Sequence, residues 1–326
     1  MTWSWSERVV VRDGLRLSCR DWGGGGGGAS EPAVVLLHGL AGHAGEWDAT
    51  AVRLRAEGHR VIAVDQRGHG HSERHPKDTS RAAYVADAVA VIDELGLERP
   101  ALVGQSLGGH TAMLTAAAHP SLLSGVVLVE AGPAQAEPGV VDDIAGWLRS
   151  WPVPFPSREA AGRFLGGGPV GEGWAAGLEE RDGGGLWPRF DPEIMVRSLA
   201  ENPTRAWWEE WAAIDCPKLA VIAQNGIITA DEFDGMVRGR PDLWAASVPD
   251  TGHDVHLERP DALHRLLMGF LGGLACPGSR GFLGGLECPS GRGSLGEGSL
   301  GGPGSPGGLS AAPGGIDPCA GAHSNS

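Results

Sequence analysis

No stretch of the 326 residues approaches the roughly 20 consecutive apolar residues that a bilayer-spanning helix needs. The start, Met1 to Arg8, lacks the basic and apolar regions of a secretory leader, so a cytoplasmic protein is expected. Basic residues are also scarce. Twenty-six Lys and Arg face 40 Asp and Glu, a formal net charge of −14. Binding to a phosphate backbone rests on clustered cations that release counterions, so nucleic acid is not an expected partner. The acidity reads as a solvated surface. The five cysteines supply neither a disulfide ladder nor zinc spacing: Cys19 and Cys216 stand far apart, and Cys276, Cys288 and Cys319 lie in a Gly-rich tail. They read as thiols of a reducing compartment. The glycine run Gly23 to Gly28 has no strand, GxGxxG and helix in the dinucleotide-binding order, and no cofactor is expected. The spacing of His69, His71 and His75 fits no helix face, and no metal site is expected there.

From Arg8 to about Val129, short β-branched runs alternate with longer amphipathic stretches, the pattern of a mostly parallel sheet flanked by helices. Strands are expected at Val9 to Val11, Leu15 to Arg20, Ala33 to Leu37, Arg60 to Val64, Ala101 to Gly104 and Gly125 to Val129. Helices are expected at Glu46 to Glu57, Ser80 to Leu95 and Leu107 to His119, the last stopped by Pro120. Strand signals return at Lys218 to Ala223 and Ala245 to Val248, with helices at Ala230 to Val237 and Pro260 to Phe270.

Between these halves, from Ala131 to Ile214, the alternation stops and the chain turns helical and aromatic. Seven of the twelve tryptophans fall here: Trp147, Trp151, Trp174, Trp187, Trp207, Trp208 and Trp211. Such a segment can roof a substrate pocket or use its rings for its own core. After Gly273 the composition becomes Gly- and Pro-rich, and GFLGGLACPGSR at 269–280 is repeated as GFLGGLECPSGR at 281–292. Each unit is too poor in apolar surface to build a solenoid, so a disordered tail is expected. The expected organisation is a core from 1–130, a helical cap from 131–214, the rest of the core from 215–272 and the tail from 273–326.

The strongest chemical signal is Gly104-Gln105-Ser106-Leu107-Gly108, placed after an apolar strand and before a helix. This is the G-x-S-x-G pattern in the context that holds a nucleophilic serine in a strained turn at a helix N-terminus, where developing negative charge is favoured. Further motifs follow in a fixed order: His38-Gly39-Leu40 after the third strand, Asp65-Gln66-Arg67-Gly68-His69-Gly70-His71-Ser72 after the fourth, and Gly252-His253 with Glu258 and Pro260 after the last. Over roughly Arg8 to Leu271 the chain resembles the α/β-hydrolase family, in its serine hydrolase branch. The resemblance implies Ser106 as nucleophile and His253 as base, with His256 the runner-up. It also implies the backbone N–H groups of Leu40 and Leu107 as the oxyanion hole, and Asp65 and Arg67 as braces of neighbouring loops.

The acid departs from the family pattern. Relatives usually carry an Asp in the loop after the strand Lys218 to Ala223, where this chain reads Gln224-Asn225-Gly226-Ile227-Ile228-Thr229. Some members take the acid from the end of the preceding strand, and Glu130 stands there. Glu130 is therefore the expected acid, with Asp231 or an Asn225-assisted arrangement as alternatives. The resemblance implies hydrolysis of a small, mostly apolar ester, thioester or lactone through an acyl-enzyme on Ser106. The same Ser-His pair could serve a carbon–carbon bond hydrolase or a perhydrolase. The reading from a different class is a non-catalytic ligand-binding or sensor protein of the same fold.

Overall fold

The computed structural model describes residues 4–24 and 31–275. The chain begins with a hairpin, β1 (Ser6–Arg12) and β2 (Leu15–Asp21), followed by β3 (Val34–Leu37). A 3-10 turn, Ala44–Trp47, leads into α1 (Asp48–Ala56), then β4 (Val61–Val64), α2 (Arg81–Glu94), β5 (Ala101–Gln105), α3 (Leu107–Ala118) and β6 (Gly125–Val129). A helical insertion follows, with α4 (Val140–Arg149), α5 (Arg158–Phe164), α6 (Gly168–Ala176), a small ribbon of β7 (Glu179–Glu180) and β8 (Leu186–Trp187), α7 (Pro192–Ser198) and α8 (Trp208–Ala213). The sheet resumes with β9 (Lys218–Ala223), α9 (Ala230–Val237), β10 (Leu243–Val248), the short α10 (Val255–Glu258) and α11 (Pro260–Ala275).

Eight strands form one sheet in the order β1-β2-β4-β3-β5-β6-β9-β10. Within it only β2 runs against its neighbours; β4, β3, β5, β6, β9 and β10 pair in parallel. Parallel strands covered on both faces need apolar side chains on both, and β3 shows why its four residues are all aliphatic. Val35 and Leu37 face one core with Val91 and Ile92 of α2 and Met113 of α3, while Val34 and Leu36 face the other with Leu54 of α1 and Leu267 of α11. Every residue of β3 through β6 is buried.

Local signals set the helix starts. The Ser80 hydroxyl accepts the Ala83 N–H at 3.2 Å, and the Thr229 hydroxyl accepts that of Glu232. At α7, the Asp191 carboxylate caps Glu193 and Ile194 with Pro192 in the first turn. The expected helix from Glu46 to Glu57 is divided, because the His43 ring and the Asp65 carboxylate take the Gly45 and Ala44 N–H groups and tighten the first turn. The last helix continues past the expected Phe270 to Ala275, so 273–275 belong to it and not to a tail. Leu271 and Leu274 extend its apolar face onto the sheet core. The rest of the expected tail lies outside the described residues.

The insertion carries its own core, in which Trp151, Phe155, Leu178, Phe190 and Met195 are buried. Trp151 packs edge-on against Trp147, Phe155 and Phe190. Trp207 and Trp211, by contrast, pack into the sheet core beside α3 and α9. Among the described residues no helix is long and apolar enough to cross a membrane.

Candidate active site

Ser106 sits between β5 and α3 with φ 50° and ψ −115°, a backbone conformation that L-residues rarely adopt. The glycines around it are sterically required. A Cβ on Gly104 would lie 2.1 Å from the Gly108 carbonyl oxygen, and one on Gly108 would lie 2.4 Å from the Leu37 oxygen. The helix therefore approaches the sheet closely, and its first N–H groups, including that of Leu107, precede the first helical bond from His110 N–H to Ser106 O at 2.9 Å. Ala41, Glu130 and Asp250, which follow β3, β6 and β10, share positive φ with Ser106. All four stand at the C-terminal edge of the sheet, where open α/β sheets build their sites.

The loop after β3 lies against the serine. A Cβ on Gly39 would come within 3.4 Å of the Ser106 Cβ and 2.2 Å of the Gln105 side-chain oxygen. His38 is fully buried, donates from Nδ1 to Gly39 O at 2.7 Å and accepts the Gln66 N–H on Nε2 at 3.1 Å, which fixes its tautomer. Burial, then the neighbouring His69, pushes its pKa down to about 3, so it is a neutral packing element. Leu40 follows in this loop. Gln105 also reaches the opposite side, where its Nε2 donates to the His253 carbonyl at 3.2 Å.

His253 follows β10 in a loop held by Glu258, whose two oxygens each accept the Gly252 N–H at 3.0 Å. His253 Nδ1 lies 3.4 Å from Glu130 Oε2, a long hydrogen bond. Glu130 is 0% exposed. Its Oε1 accepts the Ala223 N–H at 2.6 Å and its Oε2 the Ile227 N–H at 2.7 Å, so the carboxylate is oriented by the strand and loop that follow in space, not in sequence. Gly226 leaves the room, since a Cβ there would fall 2.1 Å from Glu130 Oε2. Asp231 lies exposed in the first turn of α9, and the Asn225 N–H donates to the Thr251 carbonyl.

The turn after β4 braces these loops. Asp65 accepts the Ala44 N–H at 2.7 Å and the His71 N–H at 2.9 Å. Burial opposes its charge, but these bonds and the His71 ring hold it below the usual carboxylate range. Arg67 makes a two-pronged contact with Asp87 at 2.5 and 2.6 Å. His69 donates from Nδ1 to Arg67 O at 2.8 Å, whereas His71 Nδ1 faces Asp65, so the two rings have different partners.

Sequence reasoning missed several neighbours. Glu232 takes the Ala134 N–H at 2.8 Å, where the chain leaves Glu130 for the insertion. Burial, and the Glu130 charge nearby, raise its pKa above the ordinary value. Trp174 of α6 donates from Nε1 to Asp254, the residue after His253, at 3.3 Å. Glu179 of the insertion gathers three guanidinium groups, those of Arg74, Arg181 and Arg189, at 2.6, 2.9 and 3.1 Å, and so ties the insertion to the core. A narrow cleft lies between the two, with Ala41, Gly42 and His43 on one wall and Trp151, Trp174 and Phe190 on the other. The insertion's rings thus serve both its own core and the wall of a cleft beside the Gly39-Leu40 loop.

Comparison with known proteins agrees with the fold. The α/β hydrolase fold family profile matches residues 32–160. An sn-1-specific diacylglycerol lipase of Mus musculus is 28% identical over 255 residues, covering 74% of this chain and 82% of the lipase. A 2-hydroxy-6-oxononadienedioate/2-hydroxy-6-oxononatrienedioate hydrolase of Cupriavidus pinatubonensis is 29% identical, over 82% of this chain and 95% of its own. Among solved structures, E-2-(acetamidomethylene)succinate hydrolase superposes with a TM-score of 0.73 at 24% identity, covering 82% of this chain and 99% of that one. In strand order, elbow geometry and the matches above, this chain has the α/β hydrolase fold.

Proposed function

We propose that the chain is a serine hydrolase that cleaves a small, mostly apolar ester, thioester or lactone through an acyl-enzyme. The observation that carries this reading is the Glu130 carboxylate, buried, fixed by two backbone N–H groups and 3.4 Å from His253 Nδ1. In that role Glu130 accepts a hydrogen bond from the Nδ1–H and leaves Nε2 as the base, and such contacts tighten when charge develops on the imidazole. Ser106 Oγ attacks the carbonyl carbon as Nε2 takes its proton. The tetrahedral oxyanion is received by the N–H groups of Leu40 and Leu107, each such donor contributing about 3 kcal/mol in the transition state. The proton returns to the leaving group, and water, activated by the same histidine, releases the acid. The apolar preference is drawn from the aromatic residues that the insertion brings beside the loop after β3; the small cleft they line reaches neither Ser106 nor His253.

Labelling with a fluorophosphonate probe tests the reading. The protein is expected to label at pH 7–8 and Ser106→Ala to stay unlabelled; an unlabelled parent overturns it in favour of a ligand-binding protein. A second reading, hydrolysis of a carbon–carbon bond by the same pair, draws on the dienedioate hydrolase, whose named substrate carries a ketone and not an ester. p-Nitrophenyl esters of increasing chain length, lactones and a vinylogous 1,5-diketone, assayed side by side, separate the two.

A further inference from the structure

Behind the Ser106 and His253 loops lies a buried pair that the mechanism above does not use. Glu46, in the 3-10 turn, is 5% exposed, and His256, in α10, is 1% exposed. His256 Nε2 stands 3.5 Å from Glu46 Oε2 across 210 residues of sequence. The Trp47 ring packs on the imidazole at 4.6 Å with a tilt of 32°. The other side of the Glu46 carboxyl supports the loop after β3: a Cβ on Gly42 would fall 2.7 Å from Oε2 and 2.9 Å from Oε1. Gly42 closes that loop by donating its N–H to Gly39 O at 3.3 Å. One carboxyl group therefore touches both the segment bearing Gly39 and Leu40 and the segment bearing His253.

A charged carboxylate in such a place would be costly, but burial holds Glu46 up to about 7 and His256 down to about 4. The nearby His43 acts against the Glu46 shift, while Asp65 adds to it; Asp254 and Glu258 act against the His256 shift, while His253 adds to it. Between about pH 4 and about pH 7 the pair is neutral, with the carboxyl proton placed between Oε2 and Nε2. Glu46 Oε1 and His256 Nδ1 are buried without a hydrogen-bond partner, so the Oε2–Nε2 contact is the polar link between the two side chains.

We infer that the Glu46–His256 pair is a positioning element for hydrolysis, a buried hydrogen-bonded strut that sets the spacing between the oxyanion loop and the histidine loop. The inference rests on the serine hydrolase reading. Neither side chain touches substrate; the pair acts through Gly39-Leu40 on one side and His253 on the other. Its loss moves groups that matter most in the transition state, so the effect belongs on kcat and not on KM.

The test uses the full chain with p-nitrophenyl acetate, and the second-order rate of fluorophosphonate labelling as a companion measurement. Glu46→Leu is expected to lower kcat about tenfold or more with KM within about twofold, because displacement of reacting groups by about an ångström can cost about a hundredfold. His256→Phe, which keeps the stack on Trp47, is expected to match it, and the double variant to be no worse than either single one. Glu46→Gln, which retains a neutral hydrogen-bonding group of the same shape, is expected to recover most of the activity. A folded Glu46→Leu or His256→Phe with unchanged kcat and labelling rate overturns the inference. So does a loss confined to KM, or Glu46→Gln as impaired as Glu46→Leu. Should Glu46→Leu fail to fold, His256→Phe decides. Absence of labelling in the parent protein removes the hydrolase reading itself, whereas normal labelling of both parent and variants removes only the strut.

Discussion

The ends of β5 and β6 lie side by side, and each carries a buried or half-buried polar residue with positive φ, Ser106 at 50° and Glu130 at 51°. They are built in opposite ways. Around Ser106 every requirement is local: Gly104, Gly108 and Gly109 stand within three residues because strand and helix backbones nearly touch. Around Glu130 the requirements come from afar, with its oxygens held by Ala223 and Ile227 and its space left by Gly226. A motif records the first kind of site. The second kind is recorded only in three dimensions.

This contrast can be broken most severely at the elbow. Gly104→Ala puts a methyl group into backbone atoms of α3, which cannot move without separating helix from sheet, and should cost about 3 kcal/mol or more. Thermal denaturation is expected to show a large loss of Tm or no folded protein. On the other side, Glu130→Gln is expected to fold but to lower kcat about a thousandfold, as removal of a triad acid does. Asp231→Asn should leave kcat unchanged, and the reverse outcome would move the acid to α9.

A gentler change sharpens the comparison. Gly226→Ala meets the movable end of a side chain where Gly104→Ala meets backbone, so it should fold with a modest Tm change while turning the Glu130 carboxylate away from His253. The expected result is a loss of kcat of about ten- to a hundredfold, milder than Glu130→Gln because the charge remains nearby. Equal Tm losses in Gly226→Ala and Gly104→Ala would erase the distinction.

The mildest effect concerns pH. Burial drives His38 and His110 down to about 3 and His69 and His256 down to about 4. Unfolded histidines titrate near 6.5. Between that value and about pH 4 the unfolded chain binds protons that the folded one refuses. Stability is thus fully present above about pH 6.5 and declines on acidification, by up to about 1.4 kcal/mol per pH unit for each such histidine. Tm measured from pH 8 to pH 5 should be flat at the upper end and fall below about 6.5; a Tm constant to pH 5 would contradict this.

The sheet was legible because its strands are covered on both faces: runs such as Val34–Leu37 and Gly125–Val129 have no polar interruption to disguise them. The fine structure of the insertion was not, because its short helices start at Gly167, Asp191 or Trp207 with no shared cap signal, and Trp207 and Trp211 serve the neighbouring core. Ser106 and His253 announced themselves through contiguous patterns. Glu130 was named only through the family resemblance, and Gly226 was the unread clue, a glycine whose space is filled by a carboxyl group 96 positions earlier. The contact of Glu46 with His256 had no signal, since neither residue type nor spacing marks a pairing across 210 positions.

The contact of Glu179 with Arg74, Arg181 and Arg189 has one more consequence. The three guanidinium groups are between 27% and 37% exposed, so water and salt reach them, whereas the Glu130 carboxylate is sealed. Mobile ions weaken exposed pairs far more than buried ones. Added salt is therefore expected to loosen the Arg74 link between insertion and core while leaving the contact between Glu130 and His253 largely unscreened, so the two joints answer to different features of the surrounding solution.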